Sequence, residues 1–166
     1  MLIIIVRHAI AFDRDPLQWA DDRKRPLTPE GIGRFERAAR GLARIAPPVE
    51  VVLSSPWTRA WQTAEILQRV AGWPTPKECE ALQGDRSPRG VLPVVREHAQ
   101  AEAVALVGHE PQTHELVSYL LTGDAARVLV EFKKGGAAAL LLEGPLRAGT
   151  AGLLWSLPPR ALRSLG

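Results

Sequence analysis

Leu2-Ile3-Ile4-Ile5-Val6-Arg7-His8-Ala9 is the stretch on which the architecture turns. Its first five residues are apolar without interruption, and all but Leu2 are β-branched. A strand with one wet face would alternate polar and apolar residues, so an unbroken run of this length predicts a strand buried on both sides. It stops at an arginine and a histidine, which places two strongly polar side chains at the end of a buried strand.

Working outward, Val49 to Leu53 is a second such run, ending at Ser54-Ser55-Pro56, and Ala103 to Val107 is a third, ending at Gly108-His109. Ala137 to Leu142 and Leu153 to Leu157 are weaker strand candidates. Helical patterns separate them. Thr28-Pro29-Glu30 is a start signal, with threonine as N-cap, proline at the first helical position and an acid in the first turn. Ile32, Phe35, Ala39 and Leu42 follow at helical spacing. Ser55-Pro56 opens a second expected helix, with Ala60, Ala64, Leu67 and Val70 in its stripe. A third is expected over Pro88 to His98. Pro111 opens a fourth, with Leu116, Val117, Leu120 and Leu121 inward and Gly123 as its stop. Strands alternating with helices predict a three-layer α/β/α sandwich around a mostly parallel central sheet. With no repeat and no long linker, residues 1–166 read as one domain.

Composition narrows the function classes. The 166 residues are 46% hydrophobic and 23% charged, ordinary values for a globular domain with a sizeable core. The formal charge of +3 suits anionic substrates. Nucleic acid is not expected, because the basic residues are scattered and few Phe or Tyr interleave with them as stacking platforms require. The one cysteine, Cys79, can form neither an internal disulfide nor a cysteine-rich metal site, and reads as a small core residue. The apolar N-terminus lacks a basic leader and is interrupted at once by Arg7-His8, and no run reaches the ~20 residues of a membrane span. No membrane partner and a cytoplasmic location are therefore the expectation.

In open α/β sheets ligands bind beyond the carboxyl ends of the strands. Three expected strand ends deliver Arg7, His8, Arg59 and His109 to one edge. Guanidinium forks match phosphate oxygens bidentately and keep their charge, and the N-terminus of the helix near Pro56 adds to an anion site. A neutral imidazole at its centre can attack phosphorus and carry the phosphoryl group covalently, while the arginines stabilise the equatorial oxygens. No cofactor is expected, and the sequence has neither a glycine-rich phosphate loop nor a clustered Asp pair for a metal.

Val6-Arg7-His8-Ala9, Ser55-Pro56-Trp57-Thr58-Arg59-Ala60-Trp61-Gln62-Thr63-Ala64 and Gly108-His109-Glu110-Pro111 together resemble the three signature segments of the histidine phosphatase (phosphoglycerate-mutase-like) superfamily. The resemblance runs from Leu2 to about Gly123. Arg25-Pro26-Leu27-Thr28-Pro29-Glu30-Gly31 further resembles a stretch of the small bacterial phosphohistidine phosphatases, whose short chain this one shares. The resemblance implies a phosphoglycerate-mutase-like fold and assigns roles. His8 is phosphorylated, Arg7 and Arg59 grip the phosphoryl group, and His109 hydrogen-bonds it. Arg25 is a further substrate-side arginine. Many members place an acid after the second helix, where Glu78, Glu80 and Asp85 are available; Glu80 is the provisional choice. The expected substrate is phosphohistidine on a protein. A broad-specificity phosphomonoesterase or sugar-phosphate phosphatase acting on a small phosphorylated substrate is the alternative enzyme, and a phosphate- or phosphopeptide-binding module the non-enzymatic one.

Other polar residues read more plainly. His98 ends an expected helix and suits the surface. His114 lies off its helix's apolar stripe, and its spacing of five from His109 does not build a metal pair. The tryptophans read as packing residues, with Trp57 or Trp19 best placed to line a cleft. Lys133-Lys134-Gly135-Gly136 reads as a phosphate-facing loop or, more simply, as a solvated turn.

Overall fold

The computed structural model describes residues 1–166. Six strands form one sheet: β1 (Leu2–Arg7), β2 (Val51–Ser54), β3 (Lys77–Glu78), β4 (Ala103–Gly108), β5 (Ala137–Leu142) and β6 (Ala151–Leu157), in the spatial order β3-β2-β4-β1-β5-β6. β1 is central, parallel to β4 with Leu2 opposite Ala103, and antiparallel to β5 with Leu2 opposite Leu141. β2 is parallel to β4 and β3, and β6 is antiparallel to β5. Only β5 therefore runs against the rest, and the expectation of a mostly parallel sheet holds.

Five helices cover the two faces: α1 (Pro29–Ile45), α2 (Thr58–Ala71), α3 (Val91–Arg96), α4 (Gln112–Thr122) and α5 (Pro159–Leu165). β1 shows why both faces must be covered. Ile4 and Val6 pack with Phe35, Ala38, Leu42, Ala64, Leu67 and Leu162 from α1, α2 and α5. Ile3 and Ile5 point the other way, to Val91, Val95, Leu116 and Leu120 from α3 and α4. All four β1 side chains are at most 1% exposed, and such burial contributes about 1.5–3 kcal/mol each. The result is the three-layer α/β/α sandwich that the sequence predicts.

α1 begins as its start signal predicts, with Thr28 Oγ1 accepting the Gly31 N–H at 2.9 Å and Pro29 at the first position. Its ends are packed backbone to backbone. A Cβ at Gly31 would lie 2.1 Å from the Ile10 carbonyl oxygen, and one at Gly41 2.0 Å from that of Leu162. Glycine at these positions lets the chain after β1 and the C-terminal helix α5 lie against α1.

Four details differ from the sequence expectation. α2 starts at Thr58 rather than Ser55-Pro56, because Trp57 before it stays extended. The third helix splits into a 3-10 turn, Pro88–Gly90, and α3, which ends at Arg96 and leaves His98 in a turn. The two-residue strand β3 and the seven-residue helix α5 were not anticipated: one is too short for periodicity, and only Leu162 of the other enters the core. No helix is long and apolar enough to cross a membrane.

Candidate active site

The carboxyl ends of β1, β4 and β2 converge as the strand order requires. His8 leaves β1, His109 leaves β4, and Ser55 leaves β2 on the way to Arg59 in the first turn of α2. Of the four side chains that sequence spacing brings together, Arg7 is partly exposed and the other three are buried: His8 is 5%, His109 2% and Arg59 3% exposed. The imidazole centroids of His8 and His109 lie 5.1 Å apart, and Arg59 Nε donates to His8 Nε2 at 3.3 Å. They line a cavity of about 430 Å³ together with Arg7, Arg25, Trp57 and Lys134.

Backbone contacts set the chemistry of His8. Its Nδ1 lies 2.7 Å from the Ala9 carbonyl oxygen, which can only accept, so Nδ1 carries the proton and Nε2 keeps its lone pair. Burial, more than anything else, pushes its pKa down to about 3, with the Arg59, Arg7 and Lys134 charges acting in the same sense. His8 is thus a neutral imidazole at physiological pH, with its unprotonated nitrogen accepting from the Arg59 guanidinium. The Ala9 N–H donates to Thr63 Oγ1 at 3.0 Å, and that hydroxyl donates to the Arg59 carbonyl at 2.7 Å, so the nucleophile's backbone and the first turn of α2 are tied together.

His109 is held by a different partner. Ser55 Oγ accepts the Trp57 N–H at 3.3 Å and lies 2.9 Å from His109 Nε2. With the serine hydroxyl donating to Nε2, the ring proton sits on Nδ1, a buried atom with no protein partner. Burial first, and then the charges of its neighbours, push the His109 pKa down to about 2. Arg59 Cζ sits 4.8 Å over the Trp57 ring, and that ring lies 4.6 Å from His109, so aromatic packing fixes both polar groups. Gly84 closes the stack: a Cβ there would lie 3.0 Å from His109 Cβ and 3.4 Å from Trp57 Cζ3.

Asp22 is the residue that sequence reasoning missed. Its carboxylate accepts from Arg25 Nε at 2.7 Å and pairs with Arg59 Nη2 at 3.2 Å, with Arg14 Nε at 3.6 Å. Arg59 Nη1 also donates to the Asp22 carbonyl at 2.8 Å. The hydrogen bond from Arg25, followed by the charges of Arg59, Arg25 and Arg14, holds the Asp22 carboxyl below its usual range. One anion thereby organises three arginines. The Asp21-Asp22-Arg23-Lys24-Arg25 alternation was the available signal, but it reads equally as a solvated surface run.

The candidate acids fall differently from expectation. Glu80 does not reach the cavity: it opens a 3-10 turn whose buried residue is Leu82, and it lines a separate hollow with Ala81, Arg86, Ser87 and Gly90. Glu78 is exposed on β3 at the sheet edge. Asp85 lines the cavity, as do Asp13 and Glu110. Glu110 accepts from Thr113 Oγ1 and pairs with His114 Nδ1 at 2.5 Å, which gives His114 a partner within its own helix region. Arg25, 7% exposed, does line the cavity, held by Asp22 and the Phe12 carbonyl.

Lys134 is exposed and also lines the cavity, as the phosphate-facing alternative for its segment expects. Gly135, at φ +81°, donates its N–H to the Arg7 and His8 carbonyls at 3.2 and 3.0 Å, folding the loop back over the end of β1 and bringing Lys134 to the cavity. Arg7 is anchored through its Nη1 to the Phe132 carbonyl, while its Nε is buried without a partner. Of the two tryptophans marked for a cleft, Trp57 lines it, whereas Trp19 packs with Phe12, ring centroids 6.0 Å apart. Cys79 is buried in the core as expected.

Known proteins share this fold. A family model described as histidine phosphatase superfamily (branch 1) matches residues 3–84, which span β1, Arg25, Arg59 and Gly84. An uncharacterized protein of Picosynechococcus sp. is 34% identical over 146 residues, 84% of each chain. Among solved structures, the protein histidine phosphatase SixA complexed with tungstate superposes with a TM-score of 0.85 at 24% identity, over 98% of this chain and 99% of that one. A mycobacterial glucosyl-3-phosphoglycerate phosphatase with inorganic phosphate gives 0.73 at 17% identity, over 96% and 98%. At these identities the two structures speak for the fold, and the family match together with the Picosynechococcus relative speaks for descent: the chain belongs to the histidine phosphatase superfamily.

Proposed function

We propose that this chain is a phosphatase that carries the phosphoryl group on His8 Nε2, and that its substrate is phosphohistidine on a protein. The observation that carries the reading is the neutral, Nδ1-protonated His8 facing Arg59 inside a cavity lined by five cations, Arg7, Arg14, Arg25, Arg59 and Lys134. Phosphoryl transfer asks the protein mainly for position and for positive charge around the equatorial oxygens. Arg7 Nε and His109 Nδ1, buried and unpartnered, are donors of the right kind for those oxygens. Asp22 holds Arg59 and Arg25 in place for the same task.

In the first step His8 Nε2 bonds to phosphorus as the bond from phosphorus to the leaving atom breaks. A phosphohistidine protonated on its other ring nitrogen leaves as neutral imidazole, so nothing needs to protonate the leaving atom. In the second step water bonds to phosphorus, the P–N bond to His8 breaks, and its electron pair returns to Nε2; both protons of the water leave with the phosphate, and Nδ1 keeps its own. A phosphate ester instead releases an alkoxide that needs a proton. The cavity's acids are the exposed Asp13 and Asp85 and the already hydrogen-bonded Glu110, a weaker provision for that step. This contrast favours the P–N substrate. The SixA protein is named a protein histidine phosphatase, in keeping with it, whereas the mycobacterial neighbour is named for a sugar-phosphate ester.

The test is kcat/KM on a phosphohistidine peptide against p-nitrophenyl phosphate and phosphoglycerates. Faster turnover of the phosphohistidine supports the proposal. Equal or faster turnover of the esters overturns the substrate assignment and leaves a phosphomonoesterase, with Asp85 or Glu110 as its acid.

A further inference from the structure

A second cavity, about 670 Å³, opens beside the first and shares Arg7 and Lys134 with it. Its size falls within the ~300–1,000 Å³ of ligand-binding clefts. The charge of its lining differs sharply from that of the phosphoryl cavity. Arg34 from α1, Arg160 and Arg163 from α5, and Lys133 join Arg7 and Lys134, and no carboxylate lines it. The phosphoryl cavity includes three carboxylates among its lining residues, Asp13, Asp85 and Glu110. The floor between the cations is apolar, formed by Ile10, Phe35, Ala38 and Pro159.

The cations are poorly compensated. Arg34 pairs with the exposed Glu30 at 3.1 Å, and Lys133 approaches the exposed Glu131 at 3.9 Å. Arg160 and Arg163 have no ion pair. Arg163 is lowered from the usual guanidinium range by burial and then by the like charges of Arg34, Arg37 and Arg160. Self-repulsion of this sort costs stability and is relieved by an acidic occupant.

We infer that this cavity docks an acidic stretch of polypeptide lying next to the phosphohistidine in the protein substrate. The inference rests on the function proposed above and names the chemistry of its substrate. Continuity through Arg7 and Lys134 puts the docked segment beside the phosphoryl group. The nature of the side chains decides between a polypeptide and a compact polyanion. Arg34, Arg160, Lys133 and Lys134 are exposed and solvated, each worth little alone and unsuited to the convergent, buried grip that a small anion needs. Spread around an apolar floor, they match a chain that offers several carboxylates and some apolar side chains in sequence.

The experiment uses the full chain and the double variant Arg34→Glu/Arg160→Glu, neither position of which lines the phosphoryl cavity. Binding is read by fluorescence anisotropy with a labelled, unphosphorylated Glu-rich peptide, and with a Ser/Gly peptide of equal length. Turnover is read with a Glu-flanked phosphohistidine peptide and with phosphoramidate. Wild type is expected to bind the Glu-rich peptide in a salt-sensitive manner and the Ser/Gly peptide far less. The variant should lose affinity by about ten-fold or more and lose kcat/KM on the Glu-flanked substrate through KM, with phosphoramidate turnover kept. Unchanged peptide affinity in the variant, equal binding of the Ser/Gly peptide, or displacement of the peptide by ATP at matching affinity would each overturn the inference. The binding arm is independent of catalysis. Charge-dependent peptide binding without phosphohistidine turnover would uphold the docking site and reject the proposed reaction.

Discussion

Acidification should destabilise this protein well before its carboxylates titrate, and the size of the effect follows from two buried rings. His8 and His109 are held neutral, with pKa values of about 3 and about 2 in the folded chain. In the unfolded chain both return to about 6.5. Between these limits the unfolded state binds more protons, so stability falls as pH drops below the unfolded value and continues to fall toward the folded values. From about pH 7.5 to about pH 5 the linkage integral gives roughly 2 kcal/mol for each ring, or roughly 4 kcal/mol for the pair. That is a large share of the ~5–15 kcal/mol of a typical domain. Asp22, whose folded pKa is depressed, acts lower: its contribution is lost only below the unfolded carboxylate range. Urea denaturation at the two pH values, for wild type and for His109→Gln, reads the effect as a difference, so the variant's own stability cancels. His109→Gln should retain about half of the wild-type pH drop. A wild-type stability that does not change over this window, or a variant that keeps the whole drop, would refute the picture of two neutral buried imidazoles.

Two further predictions concern the groups around His8. Asp22→Asn removes the carboxylate shared by Arg25 and Arg59 at 2.7 and 3.2 Å; because Asp22 is about one-third exposed, the loss should be near the lower end for charge-assisted bonds, roughly ten-fold in kcat/KM, with circular dichroism unchanged. Unaltered kinetics would show that Arg59 needs no such support. Gly84→Ala puts a methyl 3.0 Å from His109 Cβ and 3.4 Å from Trp57, so steady-state turnover should drop by about ten-fold while the melting temperature falls only a few degrees. Full turnover in that variant would mean that the position of His109 matters little.

The parts of this molecule that were legible in the sequence are those whose information is local. The Leu2 to Val6 run announced a doubly buried strand, and Ile3/Ile5 and Ile4/Val6 do split between the two cores. Thr28-Pro29 marked the start of α1 to the residue. Arg7, His8, Arg59 and His109 could be placed because each follows a strand end, and the sheet order does the rest. Illegible features depend on partners remote in the chain. Lys134 reaches the cavity only because Gly135 bonds to the carbonyls of Arg7 and His8. Asp22 matters through Arg59, on another element altogether. α2 starts late because Trp57 stays extended, with Ser55 Oγ beside His109 Nε2. Glu80 and Asp85 look alike in sequence, and only the 3-10 turn that buries Leu82 separates them.

Phosphorylation of His8 is the step on which the proposed catalysis depends. Rapid acid-free quenching of the enzyme with a 32P-labelled phosphohistidine peptide should trap label on the protein that is stable in base, lost in acid, located at His8 and absent from His8→Ala. Label at another residue, or wild-type turnover in His8→Ala, would contradict it.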